Sequence, residues 1–274
     1  MSAPSSHHDD MLIPAFRNGF PPGYTPVTKE GEVEFDMGVD FGIHRQARGS
    51  TLEERHPRES AWVLLDGKAE LEFAGKIELV ERGSLFDEGP TALHLGPDTP
   101  VRISAVSDVE WAVVQAENHA SPDPRLFRPE RIDAELHGKG LAQGTCLRIA
   151  RRVFDRESRP EAGIAIGETI GFPGRWSGYP PHHHEQPQIC HYRFTLPHGY
   201  GHGECGDQVF KLHSYDSMKI PGGVDHAQVA APGYGMYCLW IIRHLPGKPY
   251  TGFTFAKDHD WVLDPNNQGW RPKR

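Results

Sequence analysis

Short apolar or alternating stretches recur along the chain, separated by turns that contain Gly and Pro. The stretch "SAWVLLDGKAELEF" at 60–73 predicts two strands around a DGK turn. The stretch "PVRISAVSDVEWAVVQAE" at 100–117 predicts another pair, with its turn near Ser107 and Asp108. The pattern predicts an all-β chain of short strands in sandwiches or barrels. Further strand-like runs lie at 162–170, 188–196, 208–214, 216–223 and 235–245.

Helical periodicity is scarce in this sequence. The best helix candidate is "PRLFRPERIDAELH" at 124–137, which Pro129 interrupts. The overlapping stretch at 118–135 is rich in Pro and polar residues and has the character of a linker. We therefore expect two domains, residues 1–125 and residues 126–274.

Composition narrows the classes of partner. The chain has 274 residues, of which 37% are hydrophobic and 24% charged, as in globular proteins with a substantial core. Its net charge of −8 argues against nucleic-acid or anionic-membrane partners. No apolar run is long enough to span a membrane, and no secretory leader pattern is visible. The cysteines form no CxxC pair, so we expect a reduced, cytoplasmic protein; they are Cys146, Cys190, Cys205 and Cys238.

Histidines cluster in "SGYPPHHHEQPQ" at 177–188. In a strand, His182 and His184 point to one face and His183 to the other. His226 follows a Gly-rich turn in "PGGVDH" at 221–226. Three imidazoles with open positions suit a divalent metal, with Zn or Mn favoured and Fe, Ni or Co as alternatives. The competing interpretation is a histidine run without ligand function.

The spacing of these histidines resembles the paired motifs of the cupin superfamily, HxHxxxE followed by PxGxxH. The block "GRWSGYPPHHHE" at 174–185 is similar to the signature W-S-S-Y-P-P-H-x-H-D of the 5-deoxy-glucuronate isomerases of inositol catabolism. The stretches "ESAWVLLDGKAELEF", "RGSLFDEGPTALHLGPDTPVRISA" and "DHDWVL" also resemble that family. The related 5-keto-4-deoxyuronate isomerases share the HxH and the third histidine, and the PxGxxH spacing is closer to theirs.

The resemblance implies a bicupin fold, with two jelly-roll domains and the metal in the second one. It implies a homo-oligomer that interconverts aldose and ketose forms of a sugar acid through an enediolate. In the first domain Glu59 occupies the position of a cupin glutamate, but Glu53 and Arg55 stand where an HxH would precede it. We therefore expect no metal there. His56 and His94 are expected to be solvated or locally hydrogen-bonded.

The chain departs from the family at the strand after the histidines. Where the isomerases have E-E-x-Y-Y-Y-R, this chain has "PQICHYR" at 187–193, so that Gln188 replaces the metal-binding glutamate. Its amide oxygen can ligate the ion as a weaker, neutral donor. Alternatively it swings away, leaving an open three-histidine face with Cys190 as a further candidate ligand or as a core thiol. The departure leaves the substrate open, either a different uronate or a sulfo-sugar.

Candidate catalytic bases for the proton transfer are Glu185, Tyr192 and Glu204. His191 is disfavoured because strand parity points it away from Gln188. Glu185 could instead orient a ligand histidine, and Tyr192 could be a core residue. An anionic substrate requires a cationic partner, for which the candidates are Arg175, Arg193 and Lys219; each could equally be a surface or ion-pair residue.

Two other functional classes fit the same motifs. Three histidines around Fe(II) with open positions could activate dioxygen, which would make the protein a cupin dioxygenase. A cupin that lost its glutamate together with its activity would be a non-catalytic sugar-binding protein.

Overall fold

The computed structural model describes residues 8–264, 266–267 and 269–273, and antiparallel sheets dominate it. Helical structure in these residues is limited to α1 (His8–Met11) and the 3-10 turns Pro129–Arg131, Leu141–Gly144 and Asp260–Leu263. None of the helices in the described residues has the length and apolar character needed to cross a membrane.

Strands account for most of the regular structure. Those up to residue 127 are β1 (Leu12–Ile13), β2 (Gly23–Thr28), β3 (Asp40–Gln46), β4 (Thr51–Arg55), β5 (Glu59–Phe73), β6 (Lys76–Arg82), β7 (Ala92–Leu95), β8 (Pro100–Ala105), β9 (Val109–Ala116) and β10 (Arg125–Phe127). The later strands are β11 (Ala134–His137), β12 (Arg148–Phe154), β13 (Ile164–Gly171), β14 (Trp176–His183), β15 (Gln188–Phe194), β16 (Tyr200–Cys205), β17 (Gln208–His213), β18 (Ser217–Ile220), β19 (His226–Ala230), β20 (Met236–Arg243) and β21 (Thr254–Phe255).

The first half of the chain is a sandwich of two sheets that share the long strand β5. One sheet has the order β10-β7-β5-β9-β3-β2. In the other sheet, β6 and β8 both pair with β5, and β4 pairs with β8. The core between the sheets includes Trp62 and Trp111, whose rings meet edge to face. The predicted turn within 60–73 is wrong. Strand β5 continues through this position, because Gly67 (φ +97°) bends the chain from one sheet into the other without ending the strand. The hairpin turn that joins β5 to β6 falls at Ala74 and Gly75.

The predicted helix at 124–137 is also wrong. The segment forms β10, a 3-10 turn with Pro129 at its first position, and β11. Proline is tolerated at the start of a helical turn but cannot donate a hydrogen bond farther along. Strand β10 pairs with β7 of the first half, and β11 pairs with β12 of the second half. The segment therefore carries the chain from one half to the other, and the division near residue 125 stays a prediction.

The second half of the chain is also a two-sheet sandwich. A seven-stranded sheet has the order β1-β18-β15-β20-β13-β12-β11, and it faces a five-stranded sheet of order β17-β16-β19-β14-β21. Strand β1 reaches this sheet from the N-terminal segment and pairs with β18. Arg17 follows β1 and donates two hydrogen bonds of 2.8 Å to the buried carboxylate of Asp216. The N-terminal segment is thereby fixed to the second half.

The seven-stranded sheet is covered on both faces. On β15, Ile189 belongs to the core that the two halves share, whereas Cys190 and Tyr192 belong to the core within the second sandwich. Strand alternation imposes this division, because successive side chains point to opposite faces. The shared core combines residues from both halves, among them Phe41, Ile43, Val114, Ile166, Leu239 and Ile241.

A buried ion pair joins the two halves inside this interface. Arg82 of β6 donates hydrogen bonds of 2.7 and 2.9 Å to the two carboxylate oxygens of Glu168 on β13, and both side chains are fully buried. The hydroxyl of Tyr237 donates a further 2.7 Å hydrogen bond to Glu168. Arg151 lies 3.7 Å from the same carboxylate. The carboxylate of Glu168 therefore has both cationic and hydroxyl partners within the protein.

The carboxylate of Glu59 also serves the contact between the halves. It accepts a 2.6 Å hydrogen bond from Nε2 of His94 and a 2.9 Å hydrogen bond from the backbone of Gly163. Arg159 donates to the other ring nitrogen of His94. His94 was expected to be either solvated or hydrogen-bonded, and it is fully buried and hydrogen-bonded. His56 is partly buried and accepts a hydrogen bond from Gln115.

We expect Glu168→Gln to lower the free energy of unfolding by about 3–5 kcal/mol, because Arg82 would keep a buried charge without a full partner. Urea unfolding followed by tryptophan fluorescence measures the change. The matched control is Glu53→Gln, which removes an exposed partner of Arg102 and should cost less than about 1 kcal/mol. Equal losses in the two variants would contradict a structural role for the buried pair.

Candidate metal centre and its cavity

Three histidines converge on one side of the second sandwich. His182 of β14 and His226 of β19 are direct cross-strand partners, and their ring centroids are 4.4 Å apart. His184 follows the end of β14, and its ring centroid lies 5.5 Å from that of His226. Pairing of β14 with β19 thus brings together His182 and His226, which are 44 positions apart in the sequence.

The Gly-rich turn before His226 lies directly against the end of β14. The backbone N–H of Gly223 donates a 2.7 Å hydrogen bond to the carbonyl of His184. A Cβ atom at Gly222 would lie 2.0 Å from the carbonyl oxygen of Glu185, so only glycine permits this approach. The glycines of the PxGxxH motif therefore set the position of His226 relative to the HxH motif.

Hydrogen bonds to the backbone fix the orientation of two of the rings. Nδ1 of His182 donates to the carbonyl of Gly178 at 2.8 Å, and Nδ1 of His226 donates to the carbonyl of Val224 at 3.0 Å. Each ring therefore carries its free lone pair on Nε2. Nε2 of His226 is buried and has no hydrogen-bond partner among the described residues. Such orientation by a backbone carbonyl is common for metal-binding histidines.

Gln188 lies beside this cluster at the start of β15 and is buried. Its Oε1 is 3.1 Å from Nε2 of His184, and its Nε2 donates to Sγ of Cys190 at 3.0 Å. The amide oxygen therefore faces the histidines. A separation of about 3 Å is also that of two adjacent ligands of one divalent ion, each about 2.1 Å from it.

The donor set fits a divalent ion in its chemistry. Burial lowers the pKa of His182 to about 4 and that of His226 to about 3, and it also lowers the pKa of His184. The imidazoles are therefore neutral at physiological pH, which is the form that binds metal. Across the part of the chain that the structure describes, no three His, Cys, Asp or Glu side chains are already gathered at coordinating distances. Binding would require the rings to turn toward one point.

The third histidine of the run has a different environment. His183 points away from the cluster, and its Nδ1 lies 2.7 Å from the carboxylate of Asp225 at the surface. The opposite orientation of neighbouring residues follows from the alternation of side chains along β14.

His182, His226 and Gln188 lie on the wall of a cavity of about 510 Å³ inside the second sandwich, and His184 lies beside them. The segment after β20 lies across the same cavity: Tyr250 meets the ring of His184 edge to face at 5.0 Å, and Phe253 lies 4.5 Å from the ring of His182. Strand β21 in this segment pairs with β14 at His182 and His183. Sequence reasoning missed these aromatic residues, although the aromatic spacing in "YTGFTF" at 250–255 was visible.

The opposite wall of the cavity carries charged residues that sequence reasoning also missed. They lie on β11 and β12 or just after them, in and beyond the segment that was predicted to be a helix. His137 and Glu135 of β11 are joined by a 2.8 Å hydrogen bond. Arg152 is paired with Asp155 at 2.8 Å. Arg148, directly opposite His137 in the sheet, completes this group.

The structure does not bring the predicted catalytic residues to the cavity wall. Glu185 is 62% exposed and is paired with Lys248 at 3.0 Å. Glu204 lines a separate cleft together with Asp225 and His259. Tyr192 is fully buried in the core of the second sandwich, where its hydroxyl has no described hydrogen-bond partner. None of the three lines the cavity that contains the histidines.

The predicted substrate-binding residues lie elsewhere too. Arg193 points into the contact with the first half, where it is paired with Glu110 and lies over the ring of Tyr215. Lys219 is paired with Glu32. Arg175 precedes β14 and does not line the cavity, whereas Cys190 does. The alternation of side chains along β15 explains the position of Arg193, because Arg193 points to the same face as Ile189, toward the first half of the chain.

Comparison with known proteins agrees with this architecture. The protein is 29% identical to a 5-deoxy-glucuronate isomerase of Geobacillus kaustophilus over 249 residues, which is 82% of this chain and 86% of that protein. The solved structure of an IolB-like protein from Salmonella typhimurium LT2 superposes with a TM-score of 0.76 at 20% identity, covering 93% of this chain and 99% of that one.

The fold extends to more distant cupins. A cupin 2 conserved barrel domain protein from Leptotrichia buccalis superposes with a TM-score of 0.53 at 10% identity, covering 85% of this chain and 95% of that one. The fold is thus all-β and cupin-like, as predicted. The sequence pattern of the KduI/IolB family matches residues 18–262. With nearly all of its strands inside that match, the chain belongs to the KduI/IolB family.

Proposed function

We propose that the protein is a metal-dependent isomerase that interconverts the aldose and ketose forms of a sugar acid, in the manner of a 5-deoxy-glucuronate isomerase. The observation that carries this proposal is the cluster of three neutral imidazoles beside Gln188, because His182, His226 and Gln188 line a cavity that also carries charged residues. The name of the relatives, 5-deoxy-glucuronate isomerase, supports the reaction class. We assign the first half a structural role, because the carboxylate of Glu59 is hydrogen-bonded to His94 and Gly163 at the contact between the halves.

His182, His184, His226 and Oε1 of Gln188 would hold the ion, with Zn or Mn as the expected metals. When bound, a divalent ion supplies Lewis acidity toward a carbonyl and the neighbouring hydroxyl, which favours loss of the proton between them. All four ligands are neutral, so they do not reduce the charge of the ion as a glutamate would. The site is therefore suited to an anionic substrate.

Isomerisation also requires a group that moves a proton between adjacent carbons. We assign this step to the hydrogen-bonded pair of Glu135 and His137, because it combines a carboxylate with an imidazole on the cavity wall. The carboxylate would hold the imidazole in one tautomer and stabilise it after proton uptake. The earlier candidates Glu185, Tyr192 and Glu204 would each have to move to reach the cavity.

The aromatic segment over the histidines would control water and proton donation. Phe253 packs against the ring of His182, and Tyr250 packs against that of His184. Burial raises the pKa of Tyr250, so its hydroxyl stays protonated and can donate to a substrate oxygen. Exclusion of water strengthens the electrostatic interactions inside the cavity.

We expect His184→Ala to lose bound metal and turnover, whereas His183→Ala keeps both, because His183 faces the surface beside Asp225. Metal is measured in the purified protein by mass spectrometry. Turnover is measured without oxygen, by NMR of deuterium incorporation from D2O into a sugar acid. Full activity of His184→Ala would refute the site, and a strict need for oxygen would refute isomerisation.

Gln188→Glu should retain the metal and bind it more tightly, because a carboxylate is a stronger ligand than an amide. The added negative charge should lower turnover of the anionic substrate by about 10-fold or more, since it weakens the effective charge of the ion. The same assays of metal content and deuterium incorporation report both effects. If neither changes, Gln188 does not belong to the site.

His137→Asn should reduce kcat by about 100-fold or more while metal content stays unchanged, because general acid–base catalysis contributes factors of this size. Asn retains a polar side chain but cannot take up the proton. The control is His198→Asn, a histidine that lies outside the cavity lining. An unchanged kcat in His137→Asn would exclude the pair from proton transfer.

A further inference from the structure

One partly buried cationic side chain on the cavity wall has no carboxylate partner. Arg148 begins β12, and its Nη1 donates a 3.2 Å hydrogen bond to the carbonyl oxygen of Cys146. Within residues 8–264 and the other described positions, no carboxylate lies at ion-pair distance from this guanidinium. Arg156 also lines the cavity without an ion-pair partner among the described residues, but its side chain is exposed to solvent. The guanidinium of Arg148 therefore lies in the cavity wall without a direct counter-charge.

Three other arginines near the two sandwich cores are paired with carboxylates. Arg152, which lines the same cavity, is paired with Asp155 at 2.8 Å and with Glu135 at 3.8 Å. Arg82 is paired with Glu168, and Arg193 is paired with Glu110. Arg148 differs from these three in having spare donors and no carboxylate partner.

The surroundings of Arg148 lower the pKa of its guanidinium through burial, and no carboxylate acts against this effect. The group nevertheless remains charged at neutral pH. A partly buried charge without a partner is energetically costly, and an anion bound beside it would offset that cost. The location therefore favours an anionic ligand over a neutral one.

The sheet leaves space in front of this side chain. Arg148 stands opposite His137 on one side and Gly171 on the other, so the neighbour on β13 contributes no side chain to the wall. The lining residues on β15, β18 and β20 include no cation; apart from Gln188 and Trp240 they are Cys190, Met218, Ile220, Cys238 and Ile242.

We infer that Arg148 binds the carboxylate of the sugar acid and so fixes which end of the molecule faces the three histidines. Its planar guanidinium can donate two parallel hydrogen bonds to a carboxylate. The reaction that follows at the histidines rests on the proposed function, but recognition of the carboxylate does not. Arg148 then determines specificity for acids over the corresponding neutral sugars.

Binding of two matched probes tests this assignment. D-glucuronate carries a carboxylate, and D-glucose has the same ring without it. By calorimetry on the full-length protein, we expect Arg148→Gln to raise the Kd for glucuronate by about 10- to 100-fold, as loss of a charge-assisted hydrogen-bonded pair does. The Kd for glucose should change less than about 3-fold. Arg148→Lys should recover part of the glucuronate affinity, since it restores charge without the planar fork.

Two control variants separate a specific site from a general effect of charge. Arg102→Gln removes an exposed charge from the first half and should leave both affinities unchanged. Arg152→Gln removes a paired charge from the same cavity and should weaken glucuronate binding much less than Arg148→Gln does. Equal effects of the two cavity variants would overturn the assignment, as would equal losses of glucuronate and glucose affinity.

Chemical labelling of the unaltered protein gives a second measurement. Phenylglyoxal should modify Arg148, as located by peptide mass spectrometry, and glucuronate but not glucose should slow that modification. No protection by glucuronate would overturn the inference.

If the wild type shows no isomerase turnover while glucuronate binding depends on Arg148, the proposed function fails and the carboxylate site stands. If turnover occurs and Arg148→Gln leaves KM unchanged, the carboxylate site fails and the proposed function stands.

Discussion

Burial of the seven-stranded sheet on both faces is the constraint on which the rest of the molecule depends. One face packs against the first half of the chain, and the other forms a wall of the cavity. A shift of β15 by one residue would place Ile189 and Arg193 in the cavity and Gln188 in the shared core. The pairing of β15 with β18 and β20 therefore determines both the contact between the halves and the composition of the site. The buried pair of Arg82 and Glu168 adds directional hydrogen bonds to that contact.

The cavity has an electrostatic character that the whole chain does not share. The protein carries a net charge of −8, yet the lining of its cavity holds three arginines and three carboxylates beside neutral imidazoles and the amide of Gln188. A divalent ion held by neutral ligands would make this balanced cavity positive, and low-dielectric walls would strengthen that potential. With an amide at position 188, the ligands themselves would not reduce the charge of the ion. Under the proposed function, an anionic substrate would gain from this charge.

Much of the site could be predicted from the sequence because its signals are local. The alternation in "HHH" separates His183 from His182 and His184, and the Gly-rich turn identifies His226. The strand pattern gave the all-β fold correctly. The opposite wall could not be predicted, because Arg148 and His137 reach the cavity only through pairing of β11 with β12. The polar segment that leads into β11 contains Pro129 and resembles a linker rather than a strand. Arg193 and Lys219 were assigned by proximity in sequence, and strand parity or ion pairing places them elsewhere.

Strand β1 has a consequence for how the polypeptide acquires its fold. Leu12 and Ile13 pair with β18, about 200 residues later, and Arg17 binds Asp216 over a separation of 199 residues. During synthesis the N-terminal segment emerges first, but its partners exist only after most of the chain has been translated. Contacts of such long range are slow to form, since the intervening chain must be ordered first. We therefore expect the edge of the seven-stranded sheet at β18 to be paired late in folding, when β1 closes it.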